Sequence, residues 1–382
     1  MTSVEALDDQ WPFILTMLPE DLDLEASSRE MGALVRRRGI TSAEDLLRLA
    51  MVYGACGYSL RQTAAWAETA RIAKLSDVAV LKRLRKAAPW LGKILMAQLA
   101  HRTQTRVRAH SGLRIRLVDA SCISKPGSKG TDWRLHLGLD LGTLTVDDIE
   151  ITDAKGGETL KRFAHQPGEL IVGDRGYAHR AGMAAVREAG SDFLVRINWQ
   201  NVPLSHSNGE AVDFLRVLRG IRDTEILDLP VHVASGSKAT DSTYPVRLIA
   251  TRKSEPAAAE ERRRIRRERA KKGRTADART LEAAGYVLLL TSVRTEVLDA
   301  EKLLELYRFR WQIELTFKRF KSLLDLDGLP AKDPALARTF LYMKLLSALI
   351  LEDFTEKFQD VSPWGYRLPA STEPVADSSD AA

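Results

Sequence analysis

Four side chains within residues 307–321 have types and spacing that could do chemistry together. Tyr307, Arg310, Glu314 and Lys321 stand at offsets of 0, 3, 7 and 14 residues. In a single helix these offsets fall within about 60° of one another, so the four groups would share one stripe. Such a stripe predicts a metal-binding carboxylate flanked by phosphate-binding cations. A solvated helix face held by charge pairs is the commoner alternative, and this stretch alone leaves both open.

Two further carboxylates follow apolar segments that have the patterns of strands. Residues 113–118 alternate arginine with branched apolar residues and lead into Asp119, and the apolar run 169–173 leads into Asp174. Sites in open α/β sheets lie beyond the carboxyl ends of strands. Asp119, Asp174 and Glu314 are therefore predicted to form a three-carboxylate site. The alternative for each aspartate is a cap on a turn or a helix.

A site with three carboxylates suits metal-assisted phosphodiester chemistry. Hard divalent cations prefer oxygen ligands, so we expect two Mg²⁺ ions held by Asp119, Asp174 and Glu314, with Mn²⁺ able to substitute. Two metals about 4 Å apart can activate the attacking oxygen and stabilise the leaving one. A phosphodiester offers no better covalent handle, so catalysis would rest on positioning and charge neutralisation.

Length and composition indicate an ordinary globular protein. A chain of 382 residues can hold two or three domains and at least one large core. Cys56 and Cys122 form no metal-binding spacing and no disulfide framework, which favours a reducing cytosol. We expect no membrane partner, because no apolar run approaches the roughly 18 residues of a membrane-spanning helix and the N-terminus lacks a signal-peptide pattern.

Positive charge is concentrated in one segment. The net charge is +6, and residues 252–274 carry eleven Lys/Arg and four Asp/Glu, a local +7 that leaves the remainder near −1. Such concentration is expected of a polyanion contact, and a solvated charged helix is an equal alternative. The predicted contacts to DNA backbone are Arg262, Arg263, Arg264, Arg266 and Arg267.

Short capped helices near the N-terminus resemble a helix-turn-helix. Thr41 is predicted to cap the first helix. Ser59 is predicted to cap the second helix, with Gln62 three residues later. A third begins at Ser76 and is predicted to end at Pro89. Any small helical bundle can show this pattern, so DNA binding here is a prediction from the basic face. The residues predicted to touch phosphate or base edges are Lys82, Arg83, Arg85 and Lys86.

The order of predicted elements indicates an α/β fold with a long insertion. We expect an N-terminal helical DNA-binding region (1–105), followed by the first part of a catalytic core (106–198). A β-rich insertion with the basic helix (199–284) separates it from the second part of the core with C-terminal helices (285–361). The Pro/Ser/Asp/Ala-rich tail, 362–382, has the composition of a disordered segment.

The motifs together resemble the DDE transposases of bacterial insertion sequences, in the insertion-sequence-four group. The signature helix of that family, Y-x2-R-x3-E-x6-K, is matched at every spacing by Tyr307, Arg310, Glu314 and Lys321. The family's D-R-G-Y at the second aspartate is matched at 174–177, and Asp119 in RLVDAS matches the first. The segments WRLHLGLDL and GETL are also similar, and the resemblance covers about residues 58–350.

The resemblance implies an RNase H-like core with a mostly β insertion in the 139 residues between Asp174 and Glu314. It implies a transposase that binds the terminal inverted repeats of an insertion sequence, nicks the DNA with water and transfers the 3′-OH ends to target DNA. A homodimer on paired ends in the cytoplasm, associated with the nucleoid, is expected. A metal-dependent nuclease of the same fold without strand transfer is the alternative, and a catalytically silent DNA-binding descendant is a third possibility.

The resemblance also assigns roles around the carboxylates. Arg310 and Lys321 would hold phosphates, the first by a bidentate fork and the second as a point charge. Tyr307 would donate to a phosphate, and Arg175 of the D-R-G-Y segment is a further phosphate contact. Trp311 could stack on an extruded base or pack in the core.

Overall fold

The computed structural model describes residues 3–104, 112–222, 224–236, 241–326 and 328–357. The chain divides into two compact units. Met1–His101 with Ala331–Ala382 make the first, here called the helical unit, and Arg102–Pro330 make the second, called the sheet unit. The tail predicted to be disordered, residues 362–382, lies outside the described residues.

Helices and strands alternate through the sheet unit and helices alone form the helical unit. The helices are α1 (Ser3–Asp9), α2 (Trp11–Thr16), α3 (Leu24–Glu30), α4 (Ala43–Gly54), α5 (Leu60–Thr69), α6 (Asp77–Gln104), α7 (Arg180–Glu188), α8 (Phe214–Arg219), α9 (Glu255–Lys271), α10 (Ala278–Ala283), α11 (Ala300–Arg308), α12 (Trp311–Leu324) and α13 (Pro334–Lys357). The strands are β1 (Arg114–Ile123), β2 (Trp133–Asp140), β3 (Thr145–Asp153), β4 (Glu169–Gly173), β5 (Asp192–Arg196), β6 (Leu204–Ser205), β7 (Ile226–Ala234), β8 (Thr243–Arg252) and β9 (Tyr286–Thr291).

The helix boundaries in the helical unit follow their capping residues. The capping box of Ser59 and Gln62 is confirmed, with both reciprocal hydrogen bonds present. The predicted cap Thr41 is wrong by one residue, because Ser42 accepts the hydrogen bond from the Asp45 N–H at 3.0 Å. Helix α6 does not end at Pro89 but continues to Gln104. Proline costs an interior hydrogen bond, and burial of the following turns, which include Trp90, offsets that cost.

Helix α13 belongs with the N-terminal helices rather than with the predicted region 285–361. Its Phe340 ring meets Tyr53 of α4 edge-on, with centroids 6.4 Å apart. Gly54 lies so close that a Cβ there would be 2.5 Å from the Cβ of Met343. The Thr339 hydroxyl donates to the Leu84 carbonyl of α6 at 2.9 Å. Burial against α4 and α6 therefore decides the grouping, although α13 follows the sheet unit in sequence.

The same helix corrects the expectation about apolar runs. Within the described residues, one segment, Pro334–Thr355, is long and apolar enough to cross a membrane by length and composition. Its most apolar window is 67% buried inside the protein. Such burial is typical of a core helix, and the contacts with α4 and α6 account for its composition.

One nine-stranded sheet runs through the sheet unit in the order β3-β2-β1-β4-β5-β9-β8-β7-β6. The first three strands form an antiparallel meander, in which β1 pairs with β2 and β2 pairs with β3. Parallel pairing joins β1 to β4 and β4 to β5, and β9 is antiparallel to both β5 and β8. The strands of the predicted insertion thus extend the same sheet through β9.

A buried ion network ties together the first four strands. The Arg114 guanidinium lies 2.7 Å from Asp140, 2.6 Å from Asp147 and 2.6 Å from Glu169. Arg116, 4% exposed, pairs with Asp147 at 2.8 Å and with Glu169 at 3.3 Å. Charges this deeply buried are tolerated because each has several partners, so the network specifies the register of β1 against its neighbours.

Candidate active site

The sheet places three polar residues side by side at the carboxyl ends of neighbouring parallel strands. Val118 of β1 pairs with Gly173 of β4, and Gly173 pairs with Val195 of β5. The next residues along these strands are Asp119, Asp174 and Arg196. Neighbouring strands lie about 4.8 Å apart, so register alone brings both predicted aspartates together.

Asp119 lies within β1. The sequence predicts instead that it follows the strand. Pairing of β1 with β4 stops at Val118, whereas pairing with β2 continues to Ile123. The Asp119 side chain, 17% exposed, accepts a hydrogen bond from the Ala120 N–H at 2.8 Å. Asp174 follows β4 and accepts from the Gly176 N–H at 2.7 Å. Each aspartate therefore also holds a nearby backbone N–H.

The predicted single helix over 307–321 is broken between α11 and α12. The N–H groups of Phe309 and Arg310 donate to carbonyls three residues back, at 3.0 and 3.2 Å, which makes a tight turn. Phe309 lies in this turn and is 49% exposed. Three apolar side chains of α12 are buried and hold the helix in place: Ile313, Phe317 and Phe320.

Arg310 stands between two of the predicted metal ligands. Its Nη1 lies 3.4 Å from the Oδ2 of Asp119, and its Nη2 donates to the Oε1 of Glu314. The Glu314 side chain is 54% exposed. In this structure the arginine predicted to hold phosphate pairs with carboxylates. Glu314 is thereby joined to Asp119 through Arg310.

Like charges at the sheet edge alter the protonation of the site. Burial raises the pKa of Asp119 to about 7, and repulsion from Asp174 and Glu158 adds to it, while the Ala120 hydrogen bond and Arg310 oppose the shift. Burial also raises the pKa of Glu158, with repulsion from Asp174 as the second cause. Tyr307 belongs to the same neighbourhood, where burial raises the pKa of its phenol.

Glu158 is a fourth carboxylate at the site, and the sequence analysis did not single it out. A Cβ added to Gly176 would lie 1.8 Å from the Oε2 of Glu158. The glycine of the D-R-G-Y segment therefore leaves the room that this carboxylate occupies beside Asp174. The signal for Glu158 in the sequence is the GETL segment, which contains it and is similar to a segment of the family named above.

The chemistry of the donors fits a divalent cation. Asp119 and Asp174 offer carboxylate oxygens, the ligands that hard cations prefer, and a cation would offset both the burial that mainly raises the pKa of Asp119 and the smaller repulsion from Asp174. Over the described ranges, no three His, Cys, Asp or Glu side chains lie close enough to hold one ion together. Asp119, Asp174 and Glu158 interact electrostatically with one another, and Glu314 is linked to Asp119 through Arg310.

Lys321 and Trp311 both belong to α12, on either side of Glu314 in the sequence. The Lys321 ammonium donates to the Cys122 carbonyl of β1 at 3.3 Å. An open groove of about 520 Å³ lies beside it, lined by Ser121, Glu314, Phe317, Lys318, Lys321 and Ser322. Trp311 is 49% exposed, which contradicts the alternative of core packing and leaves its indole face accessible.

The predicted DNA contacts on α6 lie in the helical unit, and two of the four have intramolecular partners. The Arg83 guanidinium donates to the carbonyls of Arg36 and Arg38. Arg85 forms an ion pair with Asp333. Lys82 and Lys86 are exposed.

The basic helix predicted from charge is α9, and glutamates compensate part of its charge. Three of its predicted contacts have partners in the same helix: Arg262 with Glu255, Arg263 with Glu260, and Arg264 with Glu261 and Glu268. Arg266 and Arg267 are exposed, and no carboxylate of the described residues pairs with them.

Comparisons with known proteins agree with this site. A family model for the transposase DDE domain matches residues 110–350. The protein InsL for insertion sequence element IS186A of Escherichia coli K12 is 41% identical over 357 residues, 93% of this chain and 96% of that protein. The transposase for insertion sequence element IS421 of Escherichia coli is 41% identical over 358 residues, with the same coverage of both chains.

A solved synaptic complex of piggyBac transposase with hairpin DNA covers 96% of this chain and 85% of its own, at 11% identity and a TM-score of 0.40. That likeness is too weak to support inference about this fold. The family model and the relatives from Escherichia coli are sufficient without it. They show that the chain belongs to the DDE transposases of bacterial insertion sequences.

Proposed function

We propose that this protein binds the terminal inverted repeats of an insertion sequence, cleaves the DNA backbone and transfers the 3′-OH ends to target DNA. The observation that carries the proposal is the meeting of Asp119 and Asp174 at one sheet edge with Arg310 and Glu314 of the signature segment. The relatives named as transposases for insertion sequence elements support it.

An RNase H-like core supports this chemistry. The strand order β3-β2-β1-β4-β5, with β2 antiparallel to both neighbours and β4 and β5 parallel to β1, is the arrangement we assign to it. Residues 199–284 are the insertion, and 1–105 are the DNA-binding region. Two Mg²⁺ ions, for which Mn²⁺ substitutes, would be held by Asp119, Asp174 and Glu314. When bound they supply charge neutralisation at the attacking and leaving oxygens.

The residues of the chain position the strand. Water attacks a backbone phosphorus at the element end and displaces the 3′ oxygen, which leaves as a 3′-OH while the other product keeps a 5′-phosphate. That 3′-OH then attacks a phosphorus of the target strand, forming the new phosphodiester and displacing a 3′-OH of the target. Arg310 presents two N–H groups in a fork, which suits a phosphate as well as the carboxylates it now contacts. Lys321 adds a point charge, and Tyr307 donates from its phenol. Trp311 offers an exposed ring for base stacking.

Double-stranded DNA is thus the main partner, both as element ends and as target. Two ends must be joined in one reaction, so the working form is a homodimer on paired ends. The place of action is the cytoplasm, at the nucleoid.

The test is incubation of purified protein with its own element ends and Mg²⁺ or Mn²⁺. We expect strand cleavage followed by joined products. The changes Asp119→Asn, Asp174→Asn and Glu314→Gln should each abolish cleavage and leave duplex binding largely intact. Glu188→Gln, on an exposed residue of α7, is the matched control. A variant that cuts at near the wild-type rate is not a ligand, and cleavage without joining would favour the nuclease alternative.

A further inference from the structure

Arg196 is the third member of the row formed by Asp119 and Asp174. It ends β5, one strand beyond Asp174, and its side chain is half-buried. In the described part of the chain, no carboxylate lies within ion-pair distance of its guanidinium and no hydrogen bond satisfies it. A half-buried guanidinium without a carboxylate partner beside an active site points to an anionic ligand.

A small cavity of about 40 Å³ adjoins Arg196. Three cations and one carboxylate line it: Arg175, Arg196, Lys253 and Glu261. The Lys253 ammonium donates to the Ala284 carbonyl at 2.8 Å, which fixes its direction but leaves its charge uncompensated. Burial lowers the pKa of Lys253 to about 8, with repulsion from Arg196 as the next cause.

Glu261, the one carboxylate among the residues that line this cavity, forms its main ion pair with an arginine outside the cavity lining. Glu261 of α9 binds Arg264 with both oxygens, at 2.6 and 3.0 Å. Its Oε1 is only within 3.5 Å of the Arg175 guanidinium. The hydrogen bond from Arg264 is the main reason that the pKa of Glu261 falls to about 2, with Lys253 and Arg175 contributing. Positive charge therefore exceeds negative charge around the cavity.

We infer that Arg196, Arg175 and Lys253 form an anion site that takes a backbone phosphate of the bound DNA strand beside Asp174. This inference rests on the proposed function and adds Arg196 and Lys253 to its phosphate contacts. The parallel register places the site one β-strand away from Asp174. A DNA strand held there would therefore pass the position of cleavage. A free inorganic phosphate has the same chemistry, and the two sources are separated by experiment.

The first arm measures binding of a labelled DNA duplex of arbitrary sequence between about 50 and 200 mM salt. Arg196→Gln should weaken binding about tenfold to a hundredfold, the worth of a charge-assisted hydrogen bond. It should also lower the slope of log affinity against log salt by about one. The control is Arg294→Gln, on an exposed arginine three residues after β9, at the opposite end of the β5–β9 pair. It should keep the wild-type slope.

The second arm measures thermal melting with and without inorganic phosphate. Phosphate should raise the melting temperature of the wild type and of Arg196→Lys, which keeps the charge, but not that of Arg196→Gln. Without phosphate, Arg196→Gln should melt no lower than the wild type, because the guanidinium that it removes makes no ion pair or hydrogen bond within the described residues. A lower melting temperature would show a structural role and overturn the inference.

The two arms keep this inference distinct from the proposed function. If the wild type binds duplex and Arg196→Gln keeps the full salt slope, the DNA phosphate site is refuted, even if free phosphate still stabilises the wild type. If the wild type binds no duplex, the proposed function fails. The inference that rests on it falls too, whatever the melting arm shows of the cavity's affinity for phosphate.

Discussion

Asp119 is the residue on which the electrostatics of the site converge. Asp174 directly follows the neighbouring strand, and both Asp174 and Glu158 repel the Asp119 carboxylate. The Oδ2 of Asp119 lies 3.4 Å from the Nη1 of Arg310. Burial and the two neighbouring carboxylates disfavour the ionised form of Asp119, so a cation bound there would favour it.

The raised pKa of Asp119 predicts a pH dependence of stability. Its ordinary pKa is near 4 and its folded pKa is about 7. Between these values the native state keeps a proton that the unfolded chain has released, so stability falls as pH rises through this window. In chelator, Asp119→Asn should gain melting temperature relative to the wild type from about pH 4 to about pH 8. A difference that stays constant with pH would contradict this assignment.

Arg310 tests whether the fork geometry matters beyond charge. Arg310→Lys keeps the charge but cannot hold Asp119 and Glu314, or a phosphate, with two parallel N–H groups. Single-turnover cleavage should slow about tenfold to a hundredfold, while thermal stability changes little. Arg308→Lys, at an exposed position two residues earlier, is the control. A destabilised but fully active Arg310→Lys variant would instead indicate a structural salt bridge.

At the scale of elements, α9 divides its arginines between two roles. Glutamates of the same helix bind Arg262, Arg263 and Arg264, and these pairs support the helix. Arg266 and Arg267 extend from the exposed side of the following turn. Only cations that are free to replace condensed counterions contribute fully to salt-dependent binding of DNA.

This division makes the two groups of arginines separable by experiment. The double change of Arg266 and Arg267 to Gln should lower the salt slope of duplex binding by about two. The matched double change of Arg263 and Arg264 should lower it less, because those arginines already pair with glutamates. Fluorescence anisotropy across a salt series measures both. Equal losses would show that the ion pairs open on binding, and unchanged slopes would make α9 a solvated face.

At the scale of the whole molecule, the chain divides into two compact units, each with buried side chains of its own. The helical unit buries Trp90 of α6, whose indole donates to Ser27 at 3.0 Å. The sheet unit contains the network in which Arg116 pairs with Asp147 and Glu169. The helical unit also includes α13, which follows the sheet unit along the chain. In sequence order, the sheet unit is therefore inserted within the helical unit.

Two compact units predict two unfolding transitions in calorimetry. Trp90→Ala should destabilise the helical unit by about 3–5 kcal/mol through loss of core packing. Arg116→Met should destabilise the sheet unit by about 3–5 kcal/mol, because it removes one of the two guanidinium groups that pair with the buried Asp147 and Glu169. Each change should lower one transition and leave the other near its wild-type temperature. Parallel shifts of a single transition would show that the units unfold together.

The sequence by itself determined what depends on near neighbours in the chain. The capping box of Ser59 and Gln62, the first three strands and the spacing of Arg310 and Glu314 follow from local periodicity and hydrogen bonding. The identity of Asp119, Asp174 and Glu314 as candidate ligands rested on residue type at such positions. Their chemistry was predictable because carboxylates, guanidinium and ammonium groups have fixed preferences.

The tertiary structure decided what depends on residues distant in sequence. Register between β1, β4 and β5 placed Arg196 beside the aspartates, and no local pattern marks that arginine. Glu158 joined the site because Gly176 leaves space for it. Burial carried α6 through Pro89 and grouped α13 with α4. In each case the free energy comes from contacts between segments far apart in the chain, which periodicity within one segment cannot contain.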